Sequence, residues 1–295
     1  MKRTWKKLKR KLNLSKKIHR TIQQPITFEG IGVHSGAMTK VTLHPSSDGI
    51  YFRKSGENAG VCVAASLDNV TDTVHGTTLG SSNVSFAVVE HLLAALYSLE
   101  IDGVEVILEG DELPIMDGSA LPLVKILDGT RIVEKQSEQV HDDIVIKYPL
   151  NYEHKGSFLA VFPSPEFTIS YFISYKDYPK LTQMKTMVMS PECFVREIAP
   201  ARTFAFLEWV EPLQKQGLIK GGSLENSLVY SKNGFLNSSP LRFADELVRH
   251  KILDFLGDIS LLGRKIIGHF VILCGGHTAH IEFFKKLKKE FIDGD

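Results

Sequence analysis

The sequence predicts an α+β fold built from two similar halves. Strand-like runs come before a helix and one further strand, and this order occurs once in each half of the chain. Strand runs that are segregated from helices favour α+β over a parallel sheet wound with alternating helices. A length of 295 residues also divides more naturally into two domains than one. The matching order of elements predicts an internal duplication.

The first half is predicted to extend from residue 21 to residue 130 and begins with alternating strands and turns. Gly30-Ile31-Gly32 and the run at 46–49 carry turn residues on either side of the strand-like run 40–43. Residues 86–99 place apolar side chains at helical spacing, and 104–108 have the character of a buried strand. The first half is therefore predicted to end with a helix followed by a strand.

A polar stretch without clear periodicity, residues 129–140, predicts the domain boundary, and the second domain then covers 140–295. Its strand-like runs are 144–146, 158–162 and 167–174. A glycine-rich excursion at 217–223 follows. The predicted helix at 243–262 and the strand at 269–274 repeat the ending of the first half.

Basic residues are concentrated at the start of the chain, although the formal net charge is only +1. Residues 1–20 contain ten Lys and Arg and no acidic residue, so the rest of the chain carries a charge of −9. This composition predicts a disordered, solvated extension, and an anchor to anionic lipid is the functional alternative. A mitochondrial transit peptide is a third option, although such peptides are typically rich in Arg and Ser. Nucleic-acid binding fits poorly with the acidic body.

The composition also indicates the cellular compartment of the protein. No stretch approaches the roughly 18 apolar residues of a membrane span, and the N-terminus lacks the apolar region of a secretory signal. The three cysteines, Cys62, Cys193 and Cys274, are odd in number and share no CxxC spacing. We therefore expect buried free thiols in a cytoplasmic, reducing environment, not disulfides or a cysteine-based zinc site.

A histidine and an aspartate stand together late in the chain. His250 and Asp254 are four residues apart, so they share one face of the predicted helix, and Asp258 continues the row. Taken alone, such a pair is most often a surface contact. Leu247, Leu253 and Leu261 flank this row. Ile252, Leu256 and Ile259 lie on other sides and predict a helix buried almost all round, where charged groups need partners or a metal.

The earlier helix carries a histidine at the matching place. There Val89-Glu90-His91-Leu92-Leu93 corresponds to Val248-Arg249-His250-Lys251-Ile252. By itself, His91 is more often a satisfied core histidine, but the small residues Ala87, Ala94, Ala95 and Ser98 on its face would let a second helix approach closely. Two histidines and one carboxylate from paired helices would hold zinc and leave one coordination position open, as catalytic zinc requires.

Three further residues are candidates for the chemistry. Glu90 directly precedes His91 and would be the general base, unless it is only a first-turn glutamate favoured by the helix dipole. His277 follows a strand in a glycine turn and would be the general acid, with His269 and His280 as competitors and a plain loop histidine as the simpler reading. The Thr203 hydroxyl lies at a loop-to-strand entry and would donate to an oxyanion.

With these residues in place, the sequence resembles the family of UDP-3-O-acyl-N-acetylglucosamine deacetylase (LpxC), the zinc amidase of bacterial lipid A synthesis. The motifs occur in family order over nearly the whole chain. They are Gly30-Ile31-Gly32-Val33-His34-Ser35-Gly36, Val89-Glu90-His91-Leu92, Pro114-Ile115-Met116-Asp117-Gly118-Ser119, Ala201-Arg202-Thr203-Phe204, Gly221-Gly222-Ser223, the run at 249–254, and Gly276-His277.

The resemblance implies roles for the site residues. Zinc, with ferrous iron as an alternative, would be bound by His91, His250 and Asp254. Glu90 would be the base and His277 the acid. A further set would assist: Asp258 would orient His277, Thr203 would help polarise the acetamide oxygen, and Lys251 and Phe204 would contact substrate.

The resemblance also implies a fold and a substrate. Two similar domains, each layering helices on sheet, would place the site at their interface. An insert near 206–230 would form an apolar passage for the acyl chain, lined by Val210, Leu218, Ile219 and Gly222. The substrate would be UDP-3-O-(3-hydroxyacyl)-N-acetylglucosamine, deacetylated by a cytoplasmic monomer that contacts the inner membrane peripherally, if at all.

Two positions depart from the family pattern and bear on acyl-length preference: Thr278-Ala279-His280 replaces an Ala-Leu-Asn-like run, and Ala205 replaces a glycine. Two other functions remain open. One is a zinc-retaining carbohydrate- or lipid-binding protein without catalysis, and the other is an amidase acting on a different N-acetyl sugar.

Overall fold

The computed structural model describes residues 18–56, 60–81, 83–136 and 142–293, and a pair of five-stranded sheets forms its framework. The strands of the first half are β1 (Ile18–Ile22), β2 (Ile26–Ile31), β3 (Met38–Pro45), β4 (Ile50–Lys54), β5 (Cys62–Ala64), β6 (Val70–Asp72), β7 (Thr78–Ser81), β8 (Val84–Phe86), β9 (Val104–Glu109) and β10 (Ile132–Gln136). Its helices are α1 (Glu90–Ser98) and α2 (Leu121–Asp128), with a 3-10 turn at Leu67–Asn69.

The second half follows the same plan. Its strands are β11 (Ile144–Val145), β12 (Leu150–His154), β13 (Ser157–Phe162), β14 (Thr168–Ile173), β15 (Gln183–Val188), β16 (Phe204–Phe206), β17 (Leu228–Ser231), β18 (Gly234–Phe235), β19 (Ile266–Ile267) and β20 (His269–Leu273). A 3-10 turn lies at Pro179–Leu181. The helices are α3 (Pro191–Cys193), which runs into a π-helical turn at Phe194–Ile198, then α4 (Leu207–Lys215), α5 (Glu246–Ser260) and α6 (His277–Phe291).

The two large sheets have the same strand order and the same directions of pairing. The first has the order β2-β3-β9-β4-β5 and the second β12-β13-β20-β14-β15. In each, the late strand, β9 or β20, pairs antiparallel with one neighbour and parallel with the other. The late strand also follows the corresponding helix, α1 or α5, in the chain. This repeated topology is what the duplication hypothesis requires, and the mixed helices and sheets confirm the α+β class.

The sheets bury one face and expose the other, as alternation along a strand dictates. In β9, Val104, Val106 and Leu108 are fully buried, whereas Glu105 and Glu109 point outward and pair with basic residues on neighbouring strands. The buried apolar side chains of both halves form one continuous cluster. The helices α1 and α5 pack against each other within it, and α5 is buried on nearly every side, as predicted.

Some predicted boundaries were wrong. The helix expected from residue 86 begins at Glu90, because Phe86 ends β8 and Val88 adopts a positive φ of 57°. Backbone bonds of Ala87 to Asp111 and Leu113 hold this approach segment extended. The helix expected from residue 243 begins at Glu246.

The proposed boundary region is not simply a loop, because β10 lies within it and pairs antiparallel with β1. The basic segment 1–20 falls mostly outside the described residues, and Ile18–Arg20 belong to β1.

All three cysteines are free, but Cys62 is exposed and the other two are half-buried, so the expectation of buried thiols was wrong. Among the described residues, no helix has the length and apolar character to cross a membrane.

Candidate metal centre

The two helices that carry the candidate ligands lie in close contact. Small residues make this contact possible: Ala94 and Ala95 of α1 are fully buried, and α5 presents Gly257 to the first turn of α1. A Cβ on Gly257 would lie 2.8 Å from both the Cα and the carbonyl carbon of Glu90. Only a glycine therefore fits at this crossing, and the pairing on which the site depends is present.

The pairing brings His91 of α1 together with His250 and Asp254 of α5. Their potential ligand atoms all lie within 4.8 Å of one another, and all three residues are buried. Asp254 Oδ1 lies 3.3 Å from His250 Nε2 and 4.0 Å from His91 Nε2. The two imidazole rings meet edge to face, with centroids 5.1 Å apart.

The protonation of this group favours a cation. Burial lowers the pKa of His91 to about 3, assisted by His250, and burial likewise lowers the pKa of His250. Both rings are therefore neutral, and each can offer a lone pair. His250 Nδ1 lies 3.1 Å from the Ala201 carbonyl oxygen, to which its N–H donates, so Nε2 is left unprotonated and faces Asp254. Two neutral nitrogens and one carboxylate aimed at a shared point fit a divalent metal.

Lys251 occupies the opposite oxygen of Asp254. Its ammonium donates to Asp254 Oδ2 at 2.7 Å. Burial disfavours an ionised Asp254, but the Lys251 ammonium holds the pKa of the carboxyl well below its usual range. Lys251 also lies 5.8 Å from the Phe204 ring centroid. The two predicted substrate contacts are thus neighbours beside the Asp254 carboxylate.

Glu90 lies beside the three candidate ligands at the start of α1. Only 4% of its surface is exposed, and burial raises the pKa of its carboxyl to about 7. The backbone N–H of Thr77 donates to Oε2 at 3.0 Å, while Oε1 lies 3.9 Å from His277 Nε2. A carboxyl that titrates near neutrality and faces an imidazole is suited to accept a proton.

His277 lies at the first position of α6, and this corrects its predicted placement in a glycine turn. Its Nδ1 donates to Asp258 Oδ2 at 2.8 Å, which points Nε2 toward Glu90 and Asp254. Burial alone would lower the pKa of His277, but the Asp258 carboxylate, with Glu90 and Asp254, raises it to about 9. At neutral pH this ring is a cation with a proton to donate.

Asp258, His277 and His280 form a second group with metal-ligand chemistry. Here, however, Asp258 Oδ2 lies 2.8 Å from both His277 Nδ1 and His280 Nδ1, which are ordinary hydrogen-bond lengths. The donors and acceptor already satisfy one another. In the His91 group, Asp254 Oδ1 lies farther away, 3.3 Å from His250 Nε2 and 4.0 Å from His91 Nε2, so this group is the better candidate for the metal.

Thr77 is a residue that the sequence reasoning missed. Besides its backbone bond to Glu90, its hydroxyl donates to Asp258 Oδ1 at 2.6 Å. One loop residue thereby connects Glu90 with Asp258, the hydrogen-bond partner of His277. Thr77 belongs to a turn-rich segment without periodicity, so no local pattern marks it.

The segment that carries Thr203 is tied to both halves. The Thr203 N–H donates to the Gly118 carbonyl at 2.7 Å, and Arg202 makes a bidentate pair with the fully buried Glu246. The Asp117 carboxylate of the first half also accepts a 2.8 Å hydrogen bond from the Arg242 guanidinium of the second half. Phe204 places its ring centroid 6.4 Å from that of His250. Thr203 thus stands between Arg202, which is bonded to α5, and Phe204, whose ring neighbours His250.

The predicted acyl-passage residues lie on and after α4. Val210, Leu218 and Ile219 are half-buried and Gly222 is exposed. The backbone N–H groups of Lys220 and Gly221 donate to carbonyls of residues 33 and 34, so the glycine-rich excursion contacts the Gly30–Gly36 motif of the first half. Two motifs far apart in sequence therefore contact each other.

The comparisons with known proteins agree with this geometry. A sequence model of the LpxC family, described as UDP-3-O-acyl N-acetylglycosamine deacetylase, matches residues 19–289. Three relatives are each named UDP-3-O-acyl-N-acetylglucosamine deacetylase. The Chlamydia pneumoniae protein is 40% identical over 272 residues, covering 91% of this chain and 96% of the relative. The Oleidesulfovibrio alaskensis protein is 41% identical, covering 91% and 88%, and that of Synechocystis sp. is 41% identical, covering 90% and 97%. The chain therefore belongs to the LpxC family, as its motifs predicted.

Proposed function

We propose that this chain hydrolyses the N-acetyl group of UDP-3-O-(3-hydroxyacyl)-N-acetylglucosamine and releases acetate, the committed step of lipid A biosynthesis. The observation that carries the proposal is the convergence of His91, His250 and Asp254 beside a buried glutamate and a protonated histidine. A protein that only bound a sugar or lipid would not need a base and an acid at the same point. Family membership and the name shared by the relatives support the substrate.

The metal in the proposal is zinc, one ion per chain, with ferrous iron as the alternative. The family is metal-dependent, and two imidazoles with one carboxylate suit either ion. When bound, the metal supplies Lewis acidity, which acidifies water and polarises a carbonyl oxygen. Lys251 neutralises the outer oxygen of Asp254 and so helps to keep the carboxylate oriented.

Glu90 is the general base in this reaction. Its carboxylate accepts a proton from the attacking water, whose oxygen forms a bond with the acetyl carbon. The Thr77 N–H holds one carboxylate oxygen and leaves the other facing the centre. Burial matters here because a carboxyl with a pKa of about 7 is a stronger base than an exposed one.

His277 is the general acid. The imidazolium donates its Nε2 proton to the amide nitrogen as the C–N bond breaks, and the products are acetate and the free amine of the sugar. The Asp258 carboxylate fixes the ring through Nδ1 and stabilises its charged form. The Thr203 hydroxyl donates to the oxygen that gains charge as water adds.

Lys251 and Phe204 contact the polar part of the substrate in this proposal, and Val210, Leu218, Ile219 and Gly222 line the passage for the acyl chain. Lys251 presents a half-buried cation next to an aromatic face, which suits an anionic sugar nucleotide. The half-buried apolar residues of the passage border α4 and can cover an alkyl chain.

One assay separates this function from its rivals. Purified protein is incubated with UDP-3-O-(3-hydroxyacyl)-N-acetylglucosamine, with UDP-N-acetylglucosamine and with a simple N-acetyl sugar, with and without chelator, and acetate is measured. The proposal expects chelator-sensitive release from the acylated substrate alone. Release from the simple sugar would favour an amidase of other specificity. Binding without release, in metal-loaded protein, would favour a binding protein.

The basic segment is proposed as a peripheral contact of a cytoplasmic monomer with anionic membrane. Because β1 begins at Ile18, deletion of residues 1–17 spares the sheet pairing. Sedimentation with anionic vesicles is expected to fall in the deleted protein and to stay low with neutral vesicles. Equal sedimentation of both forms with anionic vesicles would refute the anchor.

A further inference from the structure

A second histidine reaches the carboxylate that holds the general acid. His280 lies one turn after His277 on α6, and its Nδ1 is 2.8 Å from Asp258 Oδ2, the same oxygen that binds His277. Both His280 and Asp258 are 0% exposed. Asp258 thus accepts hydrogen bonds from two imidazoles at one oxygen and from the Thr77 hydroxyl at the other.

The far side of His280 is also occupied. Its Nε2 lies 3.0 Å from the hydroxyl of Tyr171, a fully buried residue of β14. Only glycine fits at 275, because a Cβ there would lie 2.8 Å from this hydroxyl and 2.9 Å from His280 Nε2. The Phe255 ring packs edge to face on His280, with centroids 5.2 Å apart. The ring is therefore held in one orientation.

This arrangement defines the tautomer. Asp258 is an ionised acceptor, so His280 carries its proton on Nδ1 and accepts from the Tyr171 hydroxyl at Nε2. Burial lowers the pKa of His280, which agrees with a neutral ring. A hydrogen-bond chain then runs from Tyr171 through His280 and Asp258 to His277.

We propose that His280 is a positioning residue for the general acid: its Nδ1–H fixes the Asp258 carboxylate, and this carboxylate fixes the direction in which His277 presents its proton. The inference rests on the proposed function, because it assigns His277 the role of acid.

The polar character of this hydrogen-bond chain indicates that it positions His277. Phe255 and Phe284 show that the surrounding core accepts aromatic side chains, so an apolar residue at 280 would fill the space without burying polar atoms. Burying an imidazole and a hydroxyl costs free energy unless both are hydrogen-bonded. Here their hydrogen bonds lead to the Asp258 carboxylate, which holds the general acid His277. With one donor removed, Asp258 can rotate about its side-chain torsions and the His277 ring follows it.

The test uses two variants of matched shape. In His280→Asn the amide nitrogen stands where the imidazole Nδ1 stood and still donates to Asp258, whereas His280→Leu has the same branching and no donor. Both lose the acceptor for Tyr171, so their difference isolates the single N–H. We measure kcat and KM for acetate release, the metal content and the thermal unfolding of each.

We expect kcat of His280→Leu to fall by about 10–100-fold, the range for losing a group that orients an active-site residue. KM and metal content stay unchanged, because His280 reaches neither substrate nor ligands, and His280→Asn stays close to wild type. Equal kcat values in the two variants, whether both high or both low, would overturn the proposal. If His280→Leu does not fold, a large loss of kcat in folded, metal-loaded His280→Asn overturns it.

A second measurement does not depend on activity. Hydrogen-bonded imidazole N–H protons give separate downfield resonances in proton NMR. The His277 resonance is expected to persist in His280→Asn and to broaden or vanish in His280→Leu, and an unchanged resonance in His280→Leu would contradict the inference. If wild-type protein releases no acetate, the proposed function fails, while this spectrum still decides whether His280 holds Asp258 in place.

Discussion

Gly257 offers the sharpest test of the helix contact that builds the metal centre. In Gly257→Ala, the added Cβ would lie 2.8 Å from two backbone atoms of Glu90, and ordinary contact begins at 3.4 Å. Because these neighbours are backbone atoms, they cannot turn away, and the helices must separate by about 0.6 Å or more. Metal sites tolerate deviations of only about 0.2 Å in ligand distance. The separation would move His91 away from His250 and Asp254.

We therefore expect Gly257→Ala to lose about 1–3 kcal/mol of stability through overpacking and to bind zinc at least about tenfold more weakly. Thermal unfolding and competition with a chromophoric chelator measure the two effects. Gly129→Ala is the matched control, since its Cβ would lie 3.4 Å or more from its neighbours. Gly129 follows the last residue of α2 with an ordinary φ of −68°, where replacement of glycine by alanine is expected to gain stability. If Gly257→Ala binds zinc like wild type and is no less stable, the helix contact does not set the ligand geometry.

Three further predictions concern groups around the centre. The value of kcat/KM should rise with pH through about 7 as Glu90 ionises and fall through about 9 as His277 loses its proton. A bound cation shifts the rise to lower pH. A fall of kcat/KM at high pH that persists in His277→Gln would count against His277 as the acid. Thr77→Val removes the 2.6 Å bond to the partner of the acid and keeps the backbone bond to Glu90, so kcat should fall roughly tenfold at constant metal content; unchanged kcat would reduce Thr77 to a structural residue. Arg202→Ala leaves the Glu246 carboxylate buried without its partner and should cost about 3–5 kcal/mol in urea unfolding; a loss below about 1 kcal/mol would show that water reaches this pair.

Periodicity was sufficient to predict much of the fold. Residues 104–108 and 269–274 were recognised as strands, and the buried helix around His250 was recognised from apolar residues on all its sides. Boundaries were less predictable where tertiary contacts decide them. The start of α1 at Glu90, for example, depends on backbone bonds between Ala87 and a segment more than 20 residues away.

The candidate site was predictable to the extent that it lies on helices. His250 and Asp254 share a face by spacing alone, but their meeting with His91 depends on Gly257, whose role is visible only in three dimensions. The family resemblance supplied the link that spacing could not. Neither residue spacing nor the family resemblance identified Thr77 or the positioning role of His280, because a loop residue and a buried hydrogen-bond chain leave no periodic signal.

Titration of metal-free protein with zinc, followed by acetate release from the acylated UDP sugar, tests the central claim most directly. The account predicts no activity without metal, a linear rise up to one zinc per chain, and no rise at all in His91→Ala or Asp254→Ala. Full activity of the metal-free protein, or a normal rise in either ligand variant, would contradict a centre built from the two helices.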